Sequence, residues 1–216
     1  MNGLIVAGGN INDKFACDVI KNGAFEVIFA ADSGIDFMYR NHITPDIIVG
    51  DFDSANPEIL SFYRDMDQVA ISELNPEKDD TDLEHALRDC VRLGCDEITI
   101  LGCFGNRIDH SYANMMLLGI GLEYGVEIRL MDEKNRVSMH CSDFELKKND
   151  IYGKYVSLLP INGTVHNLTI TGMKYCLENT DLLPFTTLGV SNELVEDQAQ
   201  ITFEDGILLL IESKDE

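Results

Sequence analysis

The feature that most constrains this chain is a change of rhythm near Asp132. Before it, short apolar runs alternate with segments of helical period. Residues 4–7, 27–31, 47–49, 68–71, 98–101 and 126–131 read as strands, and 14–21, 35–40, a stretch opened by Pro57, and 110–124 as helices. The clearest helix places Leu83, Ala86, Leu87, Cys90 and Val91 on one face. Thr81 and Glu84 have the spacing of a capping box before it, and Gly94 is a stop signal after it. Such alternation implies a parallel sheet with helices on both faces. From Arg136 onward no helical period is found. Residues 155–159 and 165–171 read as strands joined by an Asn162-Gly163 turn, and 200–203 and 207–211 as a hairpin about Asp205-Gly206. The expectation is a three-layer α/β/α domain over residues 1–133, followed by a small all-β sandwich over 134–216.

Charge narrows the function. Sixteen Lys and Arg against 38 Asp and Glu give a net charge of −22. A surface of that sign repels a nucleic-acid backbone, so no nucleic-acid partner is expected. It also repels a nucleotide unless a metal and a few placed cations invert the field locally. No apolar run of about 20 residues is present, so no membrane span is expected. Residues 1–9 lack the basic and long apolar regions of a signal peptide. The six cysteines, at 17, 90, 95, 103, 141 and 176, form no C-x-x-C pair and no metal-like cluster with His. They read as reduced thiols in or near the core, and the expected compartment is the cytoplasm.

Ligands of open α/β sheets bind beyond the carboxyl ends of the strands, and the polar motifs fall there. Asp51 and Asp53 are two apart in a segment read as extended, which would point both carboxylates one way and suit Mg²⁺. The alternative is that Asp51 caps a turn and Asp53 the following helix. In Lys78-Asp79-Asp80-Thr81-Asp82, the helix macrodipole alone would explain Asp82, whereas Lys78 is a candidate phosphate contact. In the run from Gly102 to His110, Gly102 and Gly105 permit close backbone approach. Arg107 offers a bidentate fork for phosphate, and Asp109 is either a helix cap or a metal neighbour. A metal, cations and an orienting carboxylate are the parts a phosphoryl-type transfer needs.

The ordered set Gly8-Gly9, Ala31-Asp32-Ser33-Gly34, Pro45-Asp46, Gly50-Asp51-Phe52-Asp53-Ser54, Lys78 to Asp82 and Gly102 to His110 resembles thiamine pyrophosphokinases. Gly189-Val190-Ser191-Asn192-Glu193 is similar to that family's serine-asparagine motif at the thiamine site. The resemblance implies transfer of diphosphate from ATP to the thiamine hydroxyl with Mg²⁺, giving AMP, by a homodimer with thiamine bound between the two domain types of different subunits. It implies Asp51, Asp53, Asp82 and Asp109 as acidic metal or catalytic positions and Lys78 and Arg107 as phosphate contacts. Asp32, Asp79, Thr81, Gly102, Gly105, Ser191 and Asn192 are the further binding positions, and Asp46 is a supporting residue. With no Trp in the chain, stacking on thiamine would fall to Phe or Tyr. Two other readings start from the same carboxylates. Asp51-Phe52-Asp53 after a strand also resembles the D-x-D of haloacid-dehalogenase-type phosphatases. Acidic strand ends also form the Mg²⁺ pocket of receiver modules.

Overall fold

The computed structural model describes residues 1–53, 56–75, 77, 79–105 and 107–215. The chain divides into two compact units, Met1–Glu133 and Lys134–Glu216.

The first unit carries strands β1 (Asn2–Val6), β2 (Val27–Ala31), β3 (Ile47–Gly50), β4 (Ala70–Glu73), β5 (Glu97–Leu101) and β6 (Glu127–Met131). Between them run helices α1 (Asp13–Asn22), α2 (Gly34–Arg40), α3 (Pro57–Arg64), α4 (Asp82–Arg92) and α5 (Ile108–Tyr124). All strand pairs are parallel, in the order β4-β3-β2-β1-β5-β6. The chain steps outward from β1 to β4 and then returns to place β5 on β1's other side, so the winding reverses between β1 and β5. That reversal opens a crevice at the carboxyl ends of these two strands. Leu4, Ile5, Val6, Ile100 and Leu101 are buried, as expected of strands covered on both faces. Strand β4 lies two residues later than the sequence reading placed it. It is the edge strand and includes Ser72 and exposed Glu73, so apolar content alone misjudges its limits. Helix α4 begins as its sequence indicates. The Thr81 hydroxyl accepts from the Glu84 N–H at 3.2 Å, and Gly94 follows its end at a φ of +90°.

The second unit is antiparallel: β7 (Asn135–His140), β8 (Phe144–Lys147), β9 (Tyr155–Thr171), β10 (Leu177–Leu182), β11 (Asn192–Glu193), β12 (Gln198–Thr202) and β13 (Asp205–Ser213). Two expected turns are absent. Asn162 and Gly163 have φ of 61° and 135°, but they lie inside the single 17-residue strand β9. The left-handed residues that suit a hairpin also suit a bulge, and here they serve a bulge. Residues 207–211 do not fold back on 200–203 either. Strands β12 and β13 pair with successive stretches of β9, residues 169–171 and then 155–166, and the β13 register slips between Asp205–His166 and Ile207–Ile161. The first half of β9 joins β13, β7 and β11, and its second half joins β12, β8 and β10. A bent strand shared in this way turns the corner of a sandwich. Val156, Leu158, Val165, Leu168, Ile170, Leu208 and Leu210 are buried in the core between the two faces.

Candidate active site

Two loops after strands of the first unit are joined by backbone. The Gly9 N–H donates to the Gly102 carbonyl and the Asn10 N–H to the Phe104 carbonyl, each at 2.7 Å. A Cβ on Gly9 would collide with both carbonyls, so only glycine allows the loops after β1 and β5 to approach so closely. Gly102 has a φ of +66° and abuts the Ala7 carbonyl. The second loop is braced from α5: Asn114 donates to the Cys103 carbonyl at 2.6 Å, and the Ser111 hydroxyl accepts from the Gly105 N–H at 3.3 Å.

These loops wall a cavity of about 590 Å³ at the crevice. Asp32, Asp51 and Asp82, from the ends of three segments, line it with Asp80, Thr81, Gly102, Gly105, Arg107 and His110. Asp32 has a φ of 50° and donates its N–H to the Val49 carbonyl, which fixes the loop after β2. Desolvation, followed by the Asp82 and Asp51 charges, pushes the Asp32 carboxyl above its ordinary value. Three hard oxygen donors that repel one another in a half-buried wall form a donor set suited to a small dication. Among the described residues, no three His, Cys, Asp or Glu side chains already converge to hold one.

The sign of the Asp32 shift gives a prediction. Its folded pKa lies above the unfolded value, so the folded chain takes up that proton first as the pH falls. Ionised Asp32 therefore lowers stability above its raised pKa, and the loss fades as the pH drops towards 3.8. Asp32→Asn should raise the melting temperature at neutral pH, on the order of 1–3 °C, and the gain should vanish in acid; thermal scans across pH check this.

Other expected residues lie elsewhere. Phe52 has a φ of 58°, which breaks the extended geometry that would align Asp51 with Asp53. Asp53 is exposed and outside the cavity lining, and its N–H donates to Asp51 Oδ1 at 3.2 Å, the turn-capping alternative for Asp51. The cap of α3 is Asn56, not Asp53. Asp109 does not cap α5; its carboxylate takes a bidentate pair from Arg107 at 3.2 and 2.6 Å. Both partners are largely exposed (63% and 71%), so the pair adds little to stability, although it holds the Asp109 carboxyl below its ordinary value. Asp79 is exposed outside the lining, and Lys78 and Ser54 fall outside the described residues.

Two family descriptions match the chain: "Thiamin pyrophosphokinase, catalytic domain" over residues 21–130 and "Thiamin pyrophosphokinase, vitamin B1 binding domain" over 142–208. Thiamine pyrophosphokinase of Bacillus subtilis (strain 168) is 34% identical over 187 residues, covering 85% of this chain and 86% of that one. The chain belongs to the thiamine pyrophosphokinase family. The crystal structure of the Bacillus subtilis thiamine pyrophosphokinase matches with a TM-score of 0.88 at 30% identity across the whole of both chains. That of the Geobacillus thermodenitrificans thiamin pyrophosphokinase gives 0.85 at 30%, over 100% of this chain and 98% of that one. Thiamine pyrophosphokinase membership disfavours both the phosphatase and the receiver-module readings.

In this member of the thiamine pyrophosphokinase family the serine-asparagine motif is built into the second unit's own frame. Ser191 is exposed at a φ of 57°, with its N–H donating to the Ser157 hydroxyl at 3.0 Å. Asn192 is 8% exposed. Its Oδ1 accepts from the Tyr175 and Glu193 N–H groups at 2.9 Å each, and its Nδ2 donates to the Tyr175 carbonyl at 2.8 Å. The amide therefore fastens the Tyr175 segment. Asn192→Ala should lower stability by about 1–3 kcal/mol, read as a shifted denaturation midpoint.

Sequence reasoning missed Asn10, Asp80 and Asn114. Arg107, His110 or Ser111, and Asn114 recur at helical spacing along one side of α5, a signal that could have exposed Asn114.

Proposed function

We propose that this chain transfers the diphosphate of ATP to the hydroxyl of thiamine, with Mg²⁺ as the metal, in the cytoplasm. The observation that carries the reading is the cavity at the β1–β5 reversal, where Asp32, Asp51 and Asp82 face a glycine-tight loop and Arg107. The Met1–Glu133 unit is assigned to ATP and metal and the Lys134–Glu216 unit to thiamine. Asp51 and Asp82, with Asp32 beside them, would hold Mg²⁺, which when bound supplies charge neutralisation for the triphosphate. The resemblance would add Asp53 and Asp109, but both are exposed outside the cavity lining, so this set is narrower.

The loop glycines let backbone amides approach phosphate oxygens, and Arg107, released from Asp109, offers its fork to them. Attack by the thiamine hydroxyl on the β-phosphorus forms one oxygen–phosphorus bond and breaks the bond to the oxygen bridging the α-phosphate. AMP leaves, and the hydroxyl gives up its proton. The chain's contribution is positioning and electrostatics, which carry most of the catalysis in such transfers.

The test is incubation with ATP, Mg²⁺ and thiamine and identification of products by mass. AMP and thiamine diphosphate are expected; inorganic phosphate formed without thiamine would favour a phosphatase. All six cysteines are free, and the buried Cys90 thiol donates to the Cys95 sulfur at 3.2 Å. Among the described residues no helix is long and apolar enough to cross a membrane.

A homodimer is part of the proposal. Leu183, Phe185, Leu188 and Val190 form an exposed apolar stretch of the second unit, suited to burial against another copy. Light scattering on the eluting protein should give twice the chain mass of 24.1 kDa.

A further inference from the structure

Asp80 has no place in the metal set above, yet it is a fourth carboxylate on the cavity wall. It is the residue before the Thr81 cap of α4. Its Oδ2 lies 3.3 Å from Nδ1 of His85. The other ring nitrogen, Nε2, faces Asp89 Oδ2 at 3.7 Å, one turn along the helix. Asp89 is fixed in turn, since its Oδ1 accepts from Arg92 at 2.6 Å. The imidazole is thus flanked by carboxylates at both ends, and one of its neighbours faces the cavity. The side chains of Asp80, His85 and Asp89 are only about a third exposed, at 32%, 31% and 29%, so the contacts are partly shielded from solvent.

A fourth carboxylate is a liability in a cavity that receives a triphosphate. Asp32, Asp51 and Asp82 can be neutralised by the metal, whereas Asp80, left to rotate, would present a like charge to the phosphates. We propose that His85 is a positioning residue for ATP: it holds the Asp80 carboxylate against the flank of α4 and keeps it from repelling the incoming phosphates. The inference rests on the assignment of this cavity to ATP.

The experiment is an epistasis test with steady-state kinetics. His85→Leu should raise KM for ATP roughly three- to tenfold with little change in kcat, and added salt should shrink the defect. Asp80→Asn introduced into His85→Leu should bring KM back towards the parent value, because the released charge is gone. His85→Asn, which keeps a donor near the Nδ1 position, should remain close to the parent. If His85→Leu fails to melt cooperatively, His85→Gln replaces it in the same pairing. An unchanged KM for ATP in the single variant overturns the proposal, as does a defect that Asp80→Asn leaves in place or deepens, the outcome expected if His85 merely stabilises α4. Absence of thiamine-dependent AMP release by the parent protein overturns the ATP assignment itself, and this inference with it.

Discussion

Asp82→Asn should reduce thiamine-dependent AMP formation by roughly a hundredfold or more while leaving the ligand-free protein as stable as the parent or slightly more so. Asp82 is the first residue of α4 and a wall of the cavity, where it faces Asp32 and Asp51. With no cation bound, its charge helps to push the Asp32 carboxyl above its ordinary value. Removing that charge relieves repulsion in the empty site and deprives the metal of a donor. A helix-start role alone gives the opposite pattern: a loss of about 0.3–1 kcal/mol of dipole interaction and full activity. The paired measurement is turnover beside melting curves with and without Mg²⁺-ATP. A destabilised but fully active variant would leave Asp82 a first-turn helix residue and remove it from the chemistry. Asp51→Asn should behave in the same way, since the amide Oδ1 can still accept from the Asp53 N–H and only the charge is lost.

Gly9→Ala should be nearly as damaging to activity, by a different route. The new Cβ meets two backbone carbonyls, those of Gly102 and Phe104, and neither is the end of a side chain that could swing aside. The loops after β1 and β5 would have to separate, breaking the two 2.7 Å hydrogen bonds that join them. Overpacking of this kind costs about 1–3 kcal/mol. Displacing the phosphate-facing backbone by even about 1 Å is expected to lower turnover roughly a hundredfold. Gly119 is the control, because nothing lies within 4 Å of its Cβ position and Gly119→Ala should leave activity near the parent value. Equal activity in the two variants would show that the loop junction does not shape the site.

The contrast between the halves explains what could be read from sequence. Parallel strands covered on both faces appear as solid apolar runs, so residues 27–31 and 98–101 are legible, and their ends indicate where Asp32 and the Gly102 loop will fall. Capping chemistry is equally local: Thr81 and Glu84 fix the start of α4. The second half depends on long-range pairing. Strand β10 includes exposed Glu178, Asn179 and Asp181 and takes its place only from β9. Asn162-Gly163 signals a left-handed backbone without saying whether the chain reverses or merely kinks there. Within the site, Asp51 and Asp82 were legible because strand ends and helix starts are. The separation of Asp53 from Asp51 was not, since it follows from the positive φ of Phe52, a residue that rarely adopts one.

Strand β13 has a consequence for biosynthesis. Asp205–Ser213 is an interior strand, paired with β7 on one side and β9 on the other, and Leu208, Leu209 and Leu210 are buried. The Lys134–Glu216 unit therefore cannot close while its final segment is still inside the ribosome, whereas the Met1–Glu133 unit has all its strands in hand much earlier. A nascent chain passes through a stage with one finished unit and one unfilled slot between two exposed strand edges. A stop codon before Asp205 would make that stage permanent, leaving a product exposed to edge-to-edge aggregation rather than a shortened but competent enzyme.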